Sequence, residues 1–440
     1  MSVAISRPRT LGLERSWLTG PAELVARYGL AAFILCIPLE FTSMFLRQQV
    51  SRLVLVVVAA AFVYLLTTGR RTLSLPRAPS AVVLAAFVGY SLLSWLVTRD
   101  PDSKNPLLDV TLYPFVGLLV CNLAAREEDH ERAWIAFLAS GLGVAVLGLI
   151  LYVANAHIWE PNPLLGLRSN VTFADPNITA RFYTICACAS ILLFATRRAP
   201  AWLCISTAIA CAFALPITFS RSGLAFFIVS VVLAVVVSFQ HRRALALGAA
   251  TLVAFGVFTA IDTDTRDRAV EATLTVVNAV TGTTHNIGTS SQITQSDVTL
   301  EDNRKYLVAA GLKMVADHPI TGVGFGGYRH AILTTYQSFL PPHYIDSVSH
   351  TSLITVLAEE GLIGAVVFLA FLVLLAREAV KAWWRRDSVA LWATLPAFSI
   401  IPILLYSQFE GRLIEEPYLW LALGLFYAAL ALPHRETKIG

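Results

Sequence analysis

Long apolar runs separated by short polar breaks dominate the chain. Crossing a bilayer as a helix takes about 20 predominantly apolar residues. Twelve runs meet that length, at 23–42, 50–68, 79–98, 107–124, 133–156, 177–196, 199–216, 222–239, 243–262, 351–376, 389–408 and 413–432. One break is long, residues 263–349, between the ninth and tenth runs. The organisation expected is therefore an N-terminal tail (1–22), nine transmembrane helices (23–262), one large loop region with amphipathic helices (263–349), three further spans (350–432) and a short tail (433–440).

Composition agrees with this pattern. Of 440 residues, 56% are hydrophobic and only 14% charged, whereas soluble domains carry about a quarter charged residues. The fold class expected is an all-α polytopic membrane protein.

Charge then orients it. Arg7, Arg9 and Arg15 precede the first run without a small-residue cleavage site, which reads as an uncleaved cytoplasmic tail. Every second break is basic: Arg70, Arg71 and Arg77; Arg126 and Arg132; Arg197 and Arg198; Arg242 and Arg243; Arg377, Lys381, Arg385 and Arg386. The opposite side holds fewer, mainly Arg47, Arg52, Arg99, Lys104, Arg168, Arg221 and Arg412. That alternation obeys the positive-inside rule and puts the long loop outside the cytoplasm. The net charge of +4 is thus topological, with no basic stripe for nucleic acid. All six cysteines fall in or at the ends of runs and read as small apolar residues.

Function is expected in the long loop. Its stretch "TGTTHNIGTSSQITQSD" (281–297) has few apolar anchors and reads as mobile. Next, Leu307, Ala310, Leu312 and Met314 recur at near-helical spacing before Pro319, as in an amphipathic helix on the membrane face. "ITGVGFGGYRHA" follows, a glycine-rich turn whose amides can face an anion.

The polar segment ends in "SVSHTSLITVLAEEGLIG" (347–364). Ser349 reads as an N-cap, which puts His350 in a first turn, where the helix dipole disfavours imidazolium. A neutral histidine is a candidate general base. Glu359 and Glu360 mark the outer membrane boundary, and neither shares the face of His350. Arg221 in "TFSRSGLAFF" and Arg181, one turn beyond an Asn177 cap, sit at the same boundary. Guanidinium suits a bidentate phosphate clamp, the alternative being a side chain that snorkels to water. Arg304, Arg329 and Tyr328 are lesser candidates in the loop.

A base and anion clamps beside a bilayer point to chemistry on a phosphorylated lipid. "SRSG", "HPITGVGFGGYRHA" and "SHTSLITVLAEEGLIG", in this order around one large outer loop, resemble the O-antigen ligase and polymerase superfamily of bacterial envelope proteins. The resemblance implies a membrane-embedded glycosyltransferase of the inner membrane, with its active site facing the periplasm. Its donor would be an undecaprenyl diphosphate-linked glycan and, for a ligase, its acceptor a sugar hydroxyl of lipid A–core. By position, His350 would be the base, and Arg221 and Arg181 would hold the diphosphate. Many relatives have Asn after the histidine and an aromatic two further on, where this chain has "SHTSL".

No cofactor is expected. Asp262, Asp264 and Asp267 in "IDTDTRDR" form an acidic pattern that Arg266 and Arg268 partly neutralise, and the histidines show no recognised metal spacing. The expectation is a metal-independent, inverting transfer. A polymerase joining repeat units on the carrier would use the same groups. A secondary transporter or lipid flippase also suits twelve spans, but the prominent charges gather at the outer end and no repeated halves are visible. The short tail after the last span argues against oligosaccharyl transferases with a large soluble C-terminal domain.

Overall fold

The computed structural model describes residues 19–99, 104–159, 168–267, 269–270, 273, 292–340, 349, 351–411 and 413–433. All regular structure among them is helical: α1 Thr19–Cys36, α2 Thr42–Leu46, α3 Val50–Thr67, α4 Pro79–Thr98, α5 Lys104–Leu123, α6 Glu127–Val153, α7 Pro176–Thr196, α8 Ala201–Ala214, α9 Arg221–Val237, α10 His241–Ile261, α11 Gln292–Asp317, α12 Tyr328–Thr334, α13 Ser352–Trp384, α14 Ser388–Glu410 and α15 Pro417–Leu430. Nine helices among the described residues are long and apolar enough to cross a membrane. The shorter apolar α9 and α15, together with α1, occupy the other three expected runs. This is an all-α, multi-pass membrane protein.

Helix α7 is the centre of the bundle. Of its apolar window, 94% is buried, against 11% for α4 at the lipid-facing rim. Its small side chains permit this: Gly141 of α6 and Gly248 of α10 lie where a Cβ would meet Cys186 and Val235, so α6, α7, α9 and α10 approach closely. Side-chain caps start the helices that carry the site. Asp175 accepts from the amide of Asn177 at 2.7 Å with Pro176 opening α7, and Ser220 accepts from the amide of Gly223 at 3.0 Å to open α9. The cap of α7 is thus Asp175, two residues earlier than the asparagine expected from sequence, because its carboxylate reaches the amide two residues on.

The loop region packs as its own small core. Leu307, Ala310 and Met314 of α11 are buried against Tyr328, Ile332 and Tyr336, while Leu312 is exposed, off the face that the spacing assigned to it. Helix α11 reaches back to Gln292, so the stretch read as mobile is helical from there on; residues 281–291 lie outside the described residues.

Candidate active site

The glycine-rich turn faces a carboxyl group, and that group is the protein's own. The two carboxylate oxygens of Glu359 accept from the amides of Gly326 at 2.9 Å and Tyr328 at 3.1 Å. Around it, residues 319–324 are zipped to a break in α13: Val323 donates to Ala358, Gly324 to Glu359 and Leu362 to Pro319, at 2.8–2.9 Å. The break is at Gly361, with φ +63° and ψ −162°. A Cβ there would stand 2.4 Å from the carbonyl oxygen of Ile320, and a Cβ on Gly322, at φ +68°, would stand 2.4 Å from the backbone of Glu359. Only glycine fits both positions, because the two backbones touch. The amides freed by the break are satisfied by the loop, as buried backbone groups require.

Glu359 and Glu360, expected as boundary markers, are therefore interior groups: 9% and 1% exposed. Glu360 accepts from the hydroxyl of Ser91 at 2.5 Å, and its carbonyl accepts from Tyr90 at 3.1 Å, so α4 and α13 are joined at the same level. Tyr328 is also interior. Its hydroxyl donates to Leu307 at 2.6 Å, which makes it a strut of the loop core, and the substrate-contact role expected for it gives way to packing. Arg329 is exposed beside it. The side chain of Arg304 lies outside the described residues.

Arg181 departs most from expectation. Expected at the boundary, and as a diphosphate clamp by resemblance, it is fully buried and ion-paired with Glu416, the N-cap of α15. Because α7 is surrounded by protein, its second turn offers no path for a side chain to snorkel to water.

Arg221 stands at a helix start. It is the first residue of α9, half-buried, at the end where the helix dipole is positive. Gly223 two residues on lets α9 pack on α7: a Cβ there would stand 2.9 Å from that of Ala180. The corner holds a second arginine that sequence reading left among the ordinary outer-loop charges. Arg168, 7% exposed, donates to the carbonyl of Thr218 at 3.2 Å and to Oδ1 of Asn177 at 2.8 Å. The same Oδ1 accepts from Ser220 at 2.7 Å. Two arginines and a capped helix start thus converge on one corner, an arrangement that favours a multivalent anion.

The end of α14 connects this corner to the start of α13. The hydroxyl of Tyr406 donates to the carbonyl of Gly223 at 3.2 Å and shares a 2.8 Å hydrogen bond with Thr184 of α7. Its neighbours Ser407 and Gln408 bind Ser352 at 2.8 and 2.7 Å. Helix α13 begins at Ser352 with Thr351 as N-cap, two residues later than the Ser349 cap expected. Ser349 instead forms a local turn, accepting from the amide of Thr351 at 3.2 Å. The helix-dipole argument for His350 falls with it. His350 itself lies outside the described residues, as does the side chain of Glu410 and all of Arg412.

Residues 205–369 match the family model described as O-antigen ligase. Over this stretch the chain is similar to the O-antigen ligase family. The match covers Arg221, the glycine-rich turn, Glu359 and the position of His350; Arg168 and Arg181 precede it. No curated protein matches the chain closely enough to compare.

Among the described residues, no group of three or more His, Cys, Asp or Glu side chains is placed to hold a metal ion. Asp262 is engaged by Tyr152 at 2.9 Å and by the amide of Thr265 at 2.9 Å, closing the end of α10.

Proposed function

We propose that this O-antigen ligase-type protein transfers a glycan from undecaprenyl diphosphate to a sugar hydroxyl of lipid A–core, at the periplasmic face of the bacterial inner membrane. His350 is the general base that takes the acceptor proton. Arg221, with Arg168 beside it, holds the donor diphosphate as negative charge grows on the leaving group. Attack from the opposite side of the sugar inverts the anomeric centre. Fixed cations take the place that a divalent ion has in other transferases, so transfer persists in EDTA. Arg181 contacts phosphate in this reading only by exchanging Glu416 for it; otherwise it holds α15 against α7.

One observation supports this reading above the rest. Tyr406, Ser407 and Gln408 tie the start of α9, which carries Arg221, to the start of α13, two residues from His350. One helix end thus joins the starts of α9 and α13, which supports a reaction that needs a cation on one and a base before the other held close together.

The lipopolysaccharide profile and carrier-lipid pool of a deletion strain test it. Uncapped core with long glycan accumulating on the carrier supports the ligase. Core bearing a single repeat unit supports the polymerase, which needs the same residues. An unchanged profile contradicts both and favours a transporter.

A further inference from the structure

The strongest feature outside this site lies at the opposite end of the bundle, the end that the arginine-rich breaks assign to the cytoplasm. Glu23, Arg27, Leu65, Arg70, Arg71 and Arg126 line an open cavity of about 290 Å³ between α1, the end of α3 and the start of α6. Four guanidinium groups face one carboxylate there. Glu23 opposes Arg70 at 3.9 Å, and Arg126 is shared with Asp129 at 3.3 Å. Among the described residues Arg27 and Arg71 have no carboxylate within ion-pair reach. Arg27 lies over the ring of Tyr28, 5.5 Å from its centroid, and Arg71 donates to the carbonyl of Asn122 at 3.4 Å.

The cavity is built rather than incidental. Gly69, at φ +69°, turns the chain out of α3, and the amides of Arg70 and Arg71 both donate to the carbonyl of Leu65, at 2.9 and 3.0 Å. Asn122 of α5 then grips Ser74, accepting from its amide at 2.7 Å and donating to its carbonyl at 3.0 Å. The turn that presents the two arginines is thereby held at both ends. Holding four like charges together costs free energy that an anion offsets. Beside the opening, Leu24 is 62% and Tyr28 46% exposed, an apolar flank directly next to the charged floor.

We propose that this cleft binds the phosphate group of an anionic phospholipid, its headgroup on Arg27 and Arg71 and its acyl chain along Leu24 and Tyr28. Guanidinium forks match phosphate oxygens in pairs, and basic pockets between helices at a cytoplasmic surface suit such headgroups. The reading does not depend on the transferase chemistry at the other face.

The test is the thermal unfolding midpoint of the purified full-length protein in neutral detergent, titrated with phosphatidylglycerol, with phosphatidylcholine and with inorganic phosphate. Wild type is compared with Arg27→Gln, Arg71→Gln and the double variant. Arg377→Gln serves as control, since Arg377 is an exposed arginine of the same side that does not line the cleft. The expected result is a rise in midpoint with phosphatidylglycerol but not phosphatidylcholine. Each cleft substitution shifts the half-maximal lipid concentration about fivefold upward, and Arg377→Gln leaves it unchanged. If the double variant does not fold, the two single variants are read. Equal shifts in all variants overturn the cleft, leaving general surface charge as the cause. An equal rise with inorganic phosphate alone, to which the lipid adds nothing, overturns the lipid assignment in favour of free phosphate.

Discussion

Arg181 in the second turn of α7 and Glu416 at the head of α15 form an ion pair closed to solvent, with side-chain exposures of 1% and 3%. Removing one partner strands a buried charge, which costs about 3–5 kcal/mol, whereas replacing both with uncharged groups is near neutral. Arg181→Ala and Glu416→Ala are therefore expected to lower thermal stability severely, and Arg181→Met/Glu416→Gln to recover most of it. Unfolding midpoints in detergent check this. Transfer by the double variant then reports whether the charge of Arg181 is used beyond the pair.

Glu359 accepts two amides at once, so truncating it orphans both. Each unsatisfied buried N–H costs about 1–3 kcal/mol. Glu359→Ala is expected to speed hydrogen exchange at the amides of Gly326 and Tyr328 at least tenfold, with Glu359→Gln intermediate. Unchanged exchange in Glu359→Ala contradicts the clamp.

Gly361→Ala puts a Cβ against the carbonyl of Ile320 in a positive-φ, extended-ψ conformation that is essentially confined to glycine and itself costs about 1–3 kcal/mol. Loss of folded protein is the expected outcome. Gly89→Ala is the matched control, since nothing lies within 4 Å of its Cβ position in α4, and is expected to be neutral or to stabilise by up to about 1 kcal/mol.

The end of α11 is acid-sensitive by the same logic. The ammonium of Lys313 and then the hydroxyl of Tyr336 hold the Asp317 carboxylate below its ordinary range. A depressed carboxylate stabilises above its unfolded pKa and ceases to as pH falls through its folded one. The contact between Tyr336 and Asp317 is thus expected to hold at neutral pH and to open only in acid below the ordinary carboxylate range. Hydrogen exchange at residues 328–340 follows it, and Asp317→Asn is expected to remove that pH dependence.

Much of this was legible in the chain. Apolar run length is a local property, and the starts of α3, α4, α7, α9, α10 and α13 fall within two residues of the runs that hydropathy marked out. The glycine-rich turn was readable as a place where amides gather on an acceptor, whereas the Ser220 cap in "SRSG" was not read. What was not legible depends on partners distant in sequence. That the turn holds Glu359, and that Arg181 is consumed by Glu416, both follow from which helices touch, and hydropathy carries no such information. Arg168 was hidden for a further reason. Its bonds run to Thr218 and Asn177, residues whose roles only the junction of α7 and α9 creates. The displaced cap at Thr351 shows the limit of local rules, since Ser, His and Thr in series offer several equivalent starts and the ties to Gln408 and Ser407 select one.

The proposed transfer divides its labour between a cationic corner at Arg221 and a base at His350. The most direct measurement takes purified wild type, His350→Ala and Arg221→Ala with a lipid diphosphate-linked glycan and lipid A–core, and reads donor binding and transfer separately in EDTA. His350→Ala is expected to bind donor like wild type yet transfer almost nothing, and Arg221→Ala to lose donor binding and about a hundredfold or more in transfer. Wild-type transfer by His350→Ala, at equal folded protein, contradicts it.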